Sequence, residues 1–275
     1  MSMTMGTTMG WGRWMFAYDF MRHAFLAAAI VGVLSGAVGW FLVLRGQTFA
    51  GHALGHIGFT GATGAVLIGL SPLAGLIGVT MLGGIGMGLL GERFAARDVA
   101  IGIVLAFALG LGLLFLHFYT AYASEAMSLL FGNILGVSET TLVVLAALAA
   151  AALGALALLA RPLLAASLQP ELAEARGIDL RLMSVLFLAI AAAATAESAE
   201  IVGVLLVFAL MVGPAATAQR LTPRIAQGVA LAAGLAVAEA WAGLAAAYYT
   251  DWPATFWIAT LSAAGYLAAG RMRGA

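Results

Sequence analysis

The chain consists largely of consecutive apolar stretches, most of them about as long as a helix that crosses a lipid bilayer. Such a helix needs about 20 predominantly apolar residues. Of the 275 residues, 64% are hydrophobic and only 9% are charged, whereas a soluble domain has about 25% charged residues. A soluble fold of this length could not bury so much apolar surface. The sequence therefore predicts an all-α, polytopic membrane protein.

By this length rule we count about nine transmembrane helices, within a range of eight to ten. Seven are predicted at residues 23–44, 50–70, 72–90, 99–118, 140–160, 225–249 and 253–269, and two shorter ones at 182–196 and 201–218. Residues 1–22 are expected to form a loosely ordered external segment, and residues 23–275 the transmembrane domain. The stretch MSLLFGNILG, residues 127–136, is too short to span and could form a re-entrant or surface helix.

The arginines predict the orientation of the chain, because cytoplasmic loops carry an excess of basic residues. With nine spans, ten of the twelve arginines fall on one side and only Arg13 and Arg22 on the other. This places the carboxyl terminus in the cytoplasm and the amino terminus outside. The outer side also receives acidic residues, which could concentrate cations at an entrance or could be ordinary solvated loop residues: Asp19, Glu125, Glu139, Glu197, Glu200 and Asp251.

Two histidines, His52 and His56, lie one helical turn apart in the sequence GHALGHIGFTGATGA. Side chains at positions i and i+4 share one face of a helix, so both imidazoles can point into the same volume. Imidazole is a common ligand for zinc, and ionisable residues within a bilayer usually face the bundle interior or an ion path. The pair predicts a metal site, although it could instead lie at the membrane interface and only form hydrogen bonds there.

Residue types that are missing from the chain exclude several functions. There is no cysteine, which excludes disulfides and thiolate metal ligands, and no lysine, which excludes the phosphate-binding loop G-x-x-x-x-G-K-[ST]. A formal net charge of zero argues against a nucleic-acid partner. An intramembrane zinc protease would need H-E-x-x-H, and Ala53 occupies the position of that glutamate.

The predicted cytoplasmic loop 161–181 contains signals for a short helix. Pro170 suits a first helical position, Glu171 complements the positive end of a helix, and Gly177 suits a terminator. We therefore expect a short helix over residues 170–176 on the cytoplasmic face. It could dock a soluble partner or could be a simple connector.

Two residues within the predicted spans could line an ion pathway. Pro214 would kink the seventh span, or else a helix would end near Gly213. Glu239 lies within the eighth span, where a charge costs about 2.5 kcal/mol or more. It should face the bundle interior, as a structural hydrogen-bonding group or, less favoured, as part of the ion path.

Five segments, in order, resemble the permease subunits of bacterial ABC importers for zinc, manganese and iron ions. The first is FLAAAIVGVLSGAVGWFLVLRGQTFAGHALGHIGFTGATGA, and the others are LLFGNILGVS, LQPELAEARGID, IVGVLLVFALMVGPAATAQRLTPR and AAYYTDWPATFWIA. Together they extend over almost the whole chain. The resemblance implies the fold of ABC importer permeases of the cobalamin and metal-chelate type, in a bacterial cytoplasmic membrane.

The resemblance also implies partners and site residues. Members of the family are homodimers with two ATPase subunits on the cytoplasmic side and a separate extracytoplasmic metal-binding protein, so this chain would be a transport subunit and not an enzyme. The segment that couples to the ATPase would contain Gln169, Pro170, Glu171, Glu174 and Gly177.

At the proposed metal site, His56 matches the histidine of the family, whereas His52 stands where the family has an acid. No resident cofactor is expected, and the transported ion would be zinc, with manganese second. One alternative is an ABC permease for a metal chelate such as a siderophore or cobalamin, which would not need paired histidines. Another is a secondary metal transporter, which would leave the predicted cytoplasmic docking helix unexplained.

Overall fold

The structure, a computed structural model, describes residues 18–90, 94–118 and 132–274, and the regular secondary structure of this part is helical. Nine long helices, one short helix and a 3₁₀ turn over Ile134–Gly136 follow one another along the chain. The helices are α1 (Asp19–Leu44), α2 (Thr48–Leu67), α3 (Pro72–Leu89), α4 (Phe94–His117), α5 (Glu139–Leu168), α6 (Pro170–Ala175), α7 (Leu180–Val202), α8 (Val204–Leu221), α9 (Ile225–Thr250) and α10 (Ala254–Gly274).

Seven of the helices in the described part are long and apolar enough to cross a membrane, namely α1, α3, α4, α5, α7, α8 and α9. This confirms an all-helical protein with several membrane-spanning helices. Helices α2 and α10, with 20 and 21 residues, are not among the seven. The glycines, histidines and threonines of α2 lower its mean hydropathy. The count of nine spans therefore stays a prediction.

Helix α2 lies inside the bundle, where it packs against α3, α4, α7 and α8. Helices α1 and α7 are also interior, since 72% and 67% of their most apolar stretches are buried, against 17% and 22% in α4 and α5. Helices α8, α9 and α10 pack against one another, and α8 and α9 also pack against α1. The two predicted metal ligands are therefore carried by a central helix.

Close helix packing depends on glycines at the helix crossings. Gly61 of α2 and Gly75 of α3 face each other, and a Cβ atom on either one would overlap the backbone carbonyl of the other. Gly36 of α1 meets the backbone of α9 at Ala232 in the same way. Small residues let helix backbones approach closely, and this is how transmembrane helices gain packing energy without a hydrophobic driving force.

The boundary between α7 and α8 differs from the prediction. We expected spans at 182–196 and 201–218, joined by an external loop that carries Glu197 and Glu200, but α7 continues to Val202 and contains both acids. The only break is Gly203, whose φ of 83° is a left-handed conformation that favours glycine. Thr195 and Met211, on opposite sides of this break, are in contact at 3.7 Å, so α7 and α8 fold back on each other.

The predicted loop 161–181 is also partly helical. Helix α5 runs to Leu168 with Pro162 inside it, so residues 161–168 belong to the helix and the loop prediction was wrong there. Helix α6 lies where the sequence predicts a short helix. Of residues 1–22, predicted to be loosely ordered, residues 1–17 lie outside the described residues, whereas residues 19–22 form the first turn of α1, so the prediction was wrong there. Half of the predicted re-entrant or surface helix, residues 127–131, also lies outside the described residues. Its described end, Gly132, packs against the backbone of Val202 and Gly203.

Candidate functional site

The structure brings His52 and His56 of α2 together on one helix face. Their ring centroids are 4.8 Å apart and the rings are nearly perpendicular, at 82°. Both side chains are half-buried in a helix whose neighbouring positions are mostly buried. The i, i+4 spacing therefore places two half-buried imidazoles side by side, as the sequence predicts, while the choice between a metal site and a hydrogen-bonding role stays open.

Helix α8 provides the other wall of this site. The Phe208 ring lies edge-on to His52, with 4.9 Å between the centroids. A Cβ atom built on Gly55, which lies between the two histidines in the sequence, would be 3.4 Å from Val204 at the start of α8. Helices α2 and α8 therefore approach each other closely at this point. The position of His52 thus depends on the α7–α8 turn, because that turn sets where α8 begins.

The ring nitrogens of the pair stay predicted metal ligands, and the structure gives the surroundings of one of them. The Nδ1 atom of His56 is buried and has no hydrogen-bond partner among the described residues. No group of three or more His, Cys, Asp or Glu side chains that could hold a metal ion occurs in the described part of the chain. The pair can therefore offer two imidazole ligands, and water or a second subunit would have to supply the remaining ones.

The start of α2 is held by the turn that follows α1. Arg45 is buried, and its Nη1 atom donates a hydrogen bond of 2.8 Å to Ser167 Oγ near the end of α5. Its guanidinium also lies 5.5 Å from the centroid of the Phe187 ring of α7. Arg45 therefore ties the α1–α2 turn to the end of α5, directly before the short helix α6.

The predicted ATPase-coupling residues form one exposed structural unit. Gln169 links α5 to α6, Pro170 is the first residue of α6, and Gly177 follows its end with a φ of 79°. Glu171 and Glu174 are exposed, whereas Ala173 is buried against the bundle. Backbone N–H groups of Arg181 and Leu182 donate to Asp179, which caps α7. The unit presents two carboxylates on a short helix that is anchored at both ends.

The two predicted pathway residues lie on α8 and α9. Pro214 is inside a continuous helix, so a helix does not end near Gly213. Glu239 is buried, as expected of a charge within a span, and its Oε2 atom has no hydrogen-bond partner among the described residues. The structural role of Glu239 and a pathway role for either residue both stay predictions.

Sequence reasoning missed the burial of Glu197. We expected an external loop residue, but the side chain is only 3% exposed and its Oε1 atom has no hydrogen-bond partner among the described residues. It lines a cavity of about 310 Å³ between α3, α5 and α7 whose other walls are apolar, for example Met81, Ala152 and Ile190. The apolar residues on both sides of Glu197 in the sequence could have indicated that this side chain is buried.

Comparisons with known proteins find a transport family and several membrane transport proteins. The model of the ABC 3 transport family matches residues 17–272. The chain is 31% identical over 229 residues to the manganese transport system membrane protein MntC of Halalkalibacterium halodurans, covering 83% of this chain and 78% of MntC. It is 28% identical over 237 residues to the chelated iron transport system membrane protein YfeC of Yersinia pestis, covering 86% of this chain and 80% of YfeC.

A solved structure has a similar fold. The chain superimposes on a chain of PsaBC from Streptococcus pneumoniae, solved in complex with Fab, with a TM-score of 0.82 and 26% sequence identity. The match covers 93% of this chain and 92% of that chain. The similarity therefore includes the order and packing of the helices over nearly their whole length.

Proposed function

Because the chain belongs to the ABC 3 transport family, we propose that it is the membrane permease subunit of an ATP-driven importer of a divalent transition metal ion. One similar protein is described as a manganese and another as a chelated iron transport system membrane protein, which supports a metal ion as cargo. ATP hydrolysis is assigned to a separate partner chain, since this chain has no lysine for a phosphate-binding loop.

We further propose that the protein lies in the bacterial cytoplasmic membrane, and the arginine distribution supports an external amino terminus and a cytoplasmic carboxyl terminus. An extracytoplasmic metal-binding protein would deliver the ion to the outer side. We expect no resident cofactor, the metal being the cargo, and a chain that serves as a transport subunit and not as an enzyme.

The paired imidazoles of His52 and His56 are the observation that supports a particular ion, zinc. Imidazole nitrogen suits zinc and the later transition metals, whereas manganese and magnesium prefer carboxylate and carbonyl oxygens. No Asp or Glu side chain joins the pair in a metal-binding group within the described residues. Zinc is therefore the proposed cargo and manganese the second.

The two imidazoles supply only two of the four ligands that zinc usually binds. In a homodimer with a twofold axis, the pair from a second copy could complete the set, or water could do so. A partial set of ligands is suitable for a transport site, because the site must release the ion as well as bind it.

The short helix α6 is the proposed docking element for the ATPase. Its exposed Glu171 and Glu174 can pair with basic residues of a partner, and its anchored ends would transmit a displacement to α5 and α7. Arg45 links the end of α5 to the turn before α2, so a movement at α6 has a physical connection to the helix that carries the histidines.

The test is metal uptake by proteoliposomes that contain the permease, its ATPase and its binding protein. His56→Ala should reduce zinc uptake at least about tenfold, because it removes one of two proposed ligands. The matched control is His117→Ala, since His117 is exposed at the end of α4. Normal zinc uptake by a well-expressed His56→Ala variant would contradict the proposed metal site.

A further inference from the structure

His23, near the start of α1, is a histidine that the proposed cargo site does not use. It lies where α1 packs against the 3₁₀ turn and the start of α5, and its side chain is 22% exposed. The helix from His23 to Leu44 spans roughly 30 Å at about 1.5 Å per residue, and His52 follows soon after the next turn. His23 and the histidine pair therefore lie near opposite ends of the bundle, with His23 at the proposed outer end.

A backbone carbonyl orients the ring of His23. The Nδ1 atom donates a hydrogen bond of 3.2 Å to the carbonyl oxygen of Val137, a buried residue directly before the N-cap of α5. A carbonyl oxygen can only accept, so Nδ1 carries the hydrogen, and in a neutral imidazole the lone pair is then on Nε2. Histidines that bind metal ions are commonly held in this way, because the hydrogen bond fixes the tautomer and the direction of the ring.

The Nε2 atom of His23 lies near a carboxylate of α5. It is 3.9 Å from Oε1 of Glu139, the first residue of that helix. A direct hydrogen bond between the two atoms would be about 2.7–3.0 Å long, so they are not hydrogen-bonded. Zinc lies about 2.0–2.2 Å from such ligands, so a tetrahedral ion would hold the two atoms about 3.4 Å apart. A small movement of the Glu139 side chain, which is 88% exposed, would close the difference.

The two side chains form a suitable but incomplete set of ligands for a divalent transition metal ion. Imidazole nitrogen suits zinc and the later transition metals, and the carboxylate adds one negative charge. Asp19, one helical turn before His23, pairs instead with Arg22 at 3.4 Å. No third His, Cys, Asp or Glu side chain joins the two in a metal-binding group within the described part of the chain, so water would fill the remaining coordination positions.

We propose that His23 and Glu139 bind a divalent transition metal ion, zinc foremost, between the starts of α1 and α5. An ion that is held by two side chains and water exchanges readily, which suits a site that accepts the ion on the outer side and releases it again. The use of this site by the cargo rests on the proposed function, whereas the binding of the ion to these two residues does not.

Uptake by proteoliposomes tests whether the cargo uses this site. Glu139→Gln in the otherwise unmodified chain should raise the KM for zinc and leave kcat unchanged, because the change affects capture of the ion and not the later steps. An unchanged KM would overturn the role as an outer acceptor. Absence of metal uptake by the unmodified complex would instead contradict the proposed function, and zinc binding would still decide whether the site exists.

Calorimetric titration with zinc measures the binding directly, on the full-length permease in nanodiscs with His52→Ala and His56→Ala, which remove the other candidate ligands. Zinc should still bind. Adding Glu139→Gln should weaken the binding at least about tenfold, since even a residue behind a metal ligand contributes about 10–100-fold in affinity. Adding His23→Ala should abolish it, whereas adding His117→Ala, at an exposed position, should leave it unchanged. No zinc binding by the starting chain, or an equal affinity after Glu139→Gln, would overturn the proposal.

Discussion

The choice of one side chain, at position 52, sets the chemistry of the proposed metal site. The family that the chain resembles has an acid there, and this chain has His52, whose ring packs between His56 and Phe208. A carboxylate would offer hard, charged oxygens, whereas an imidazole offers a neutral nitrogen. The geometry of α2 is compatible with either ligand, because both would extend from the same face of the helix.

We predict that His52→Asp changes metal preference towards manganese. The ratio of manganese to zinc uptake in the reconstituted complex should rise by about tenfold, equivalent to about 1.4 kcal/mol of differential binding. His117→Asp, at an exposed position, is the matched control and should leave the ratio unchanged. If His52→Asp transports both ions in the original ratio, position 52 does not select the ion.

In helix α6, Ala173 is buried and the other residues are exposed. Glu171 and Glu174 can be changed without touching the bundle, since both are exposed and lie on a helix anchored through Ala173. Changes there report on partner binding rather than on folding.

We predict that the double variant Glu171→Arg and Glu174→Arg loses most of its ATPase, because charge reversal opposes the proposed pairing with basic residues. The measurement is the amount of ATPase that co-purifies with the permease, together with uptake in proteoliposomes. Asp19→Arg is the control, since Asp19 is exposed at the start of α1 and its pair with Arg22 is worth little. Full recovery of ATPase by the double variant would reject α6 as the docking element.

The α7–α8 turn depends on two glycines with left-handed backbone. Gly203 has a φ of 83° and Gly132 a φ of 80°, and a Cβ atom on Gly132 would overlap the backbone of Val202 and Gly203. This contact holds the turn that positions α8 against the histidines. A side chain there is excluded both by conformation and by space.

Gly132→Ala should therefore destabilise the protein by about 2 kcal/mol or more, from the cost of a left-handed non-glycine residue plus the overlap. Gly154→Ala in α5 is the control, because a Cβ atom there meets nothing within 4 Å and alanine favours a helix by up to about 1 kcal/mol. Thermal unfolding in nanodiscs measures the stability of both variants. Equal stability of the two variants would show that the Gly132 contact does not hold the turn.

At the level of the assembled transporter, the incomplete metal site argues for more than one copy of the chain. Two imidazoles from one copy leave coordination positions of the metal ion open. A twofold axis would bring a second pair of imidazoles towards the same pathway. The exposed apolar faces of α4 and α5 are compatible with contact to lipid or to another subunit.

We predict that the complex contains two copies of this chain for every two ATPase subunits. Native mass spectrometry of the purified complex measures the ratio directly, and a cross-link between cysteines introduced at exposed positions of two copies provides an independent check. A single copy of the chain per ATPase pair would exclude a shared site between two permease subunits.

Much of the architecture follows from local properties of the chain. The apolar stretches predict membrane helices, because a backbone within lipid must form its own hydrogen bonds. The i, i+4 spacing places His52 beside His56 in any α-helix, and Pro170 and Gly177 mark a short helix through their own backbone preferences. None of these features needs a contact between distant parts of the chain.

Other features arise only when the helices pack. Glu197 reads as a loop residue because two acids close together lower the local hydropathy, yet packing between α3, α5 and α7 buries it. Side-chain oxygens of Thr217 and Glu239 lie 4.0 Å and 3.6 Å from the Cβ position of Gly265, although the three residues lie on three different helices. Periodicity and composition describe one helix at a time, whereas such groupings depend on which faces of different helices meet, and that is set by the packing of the complete bundle.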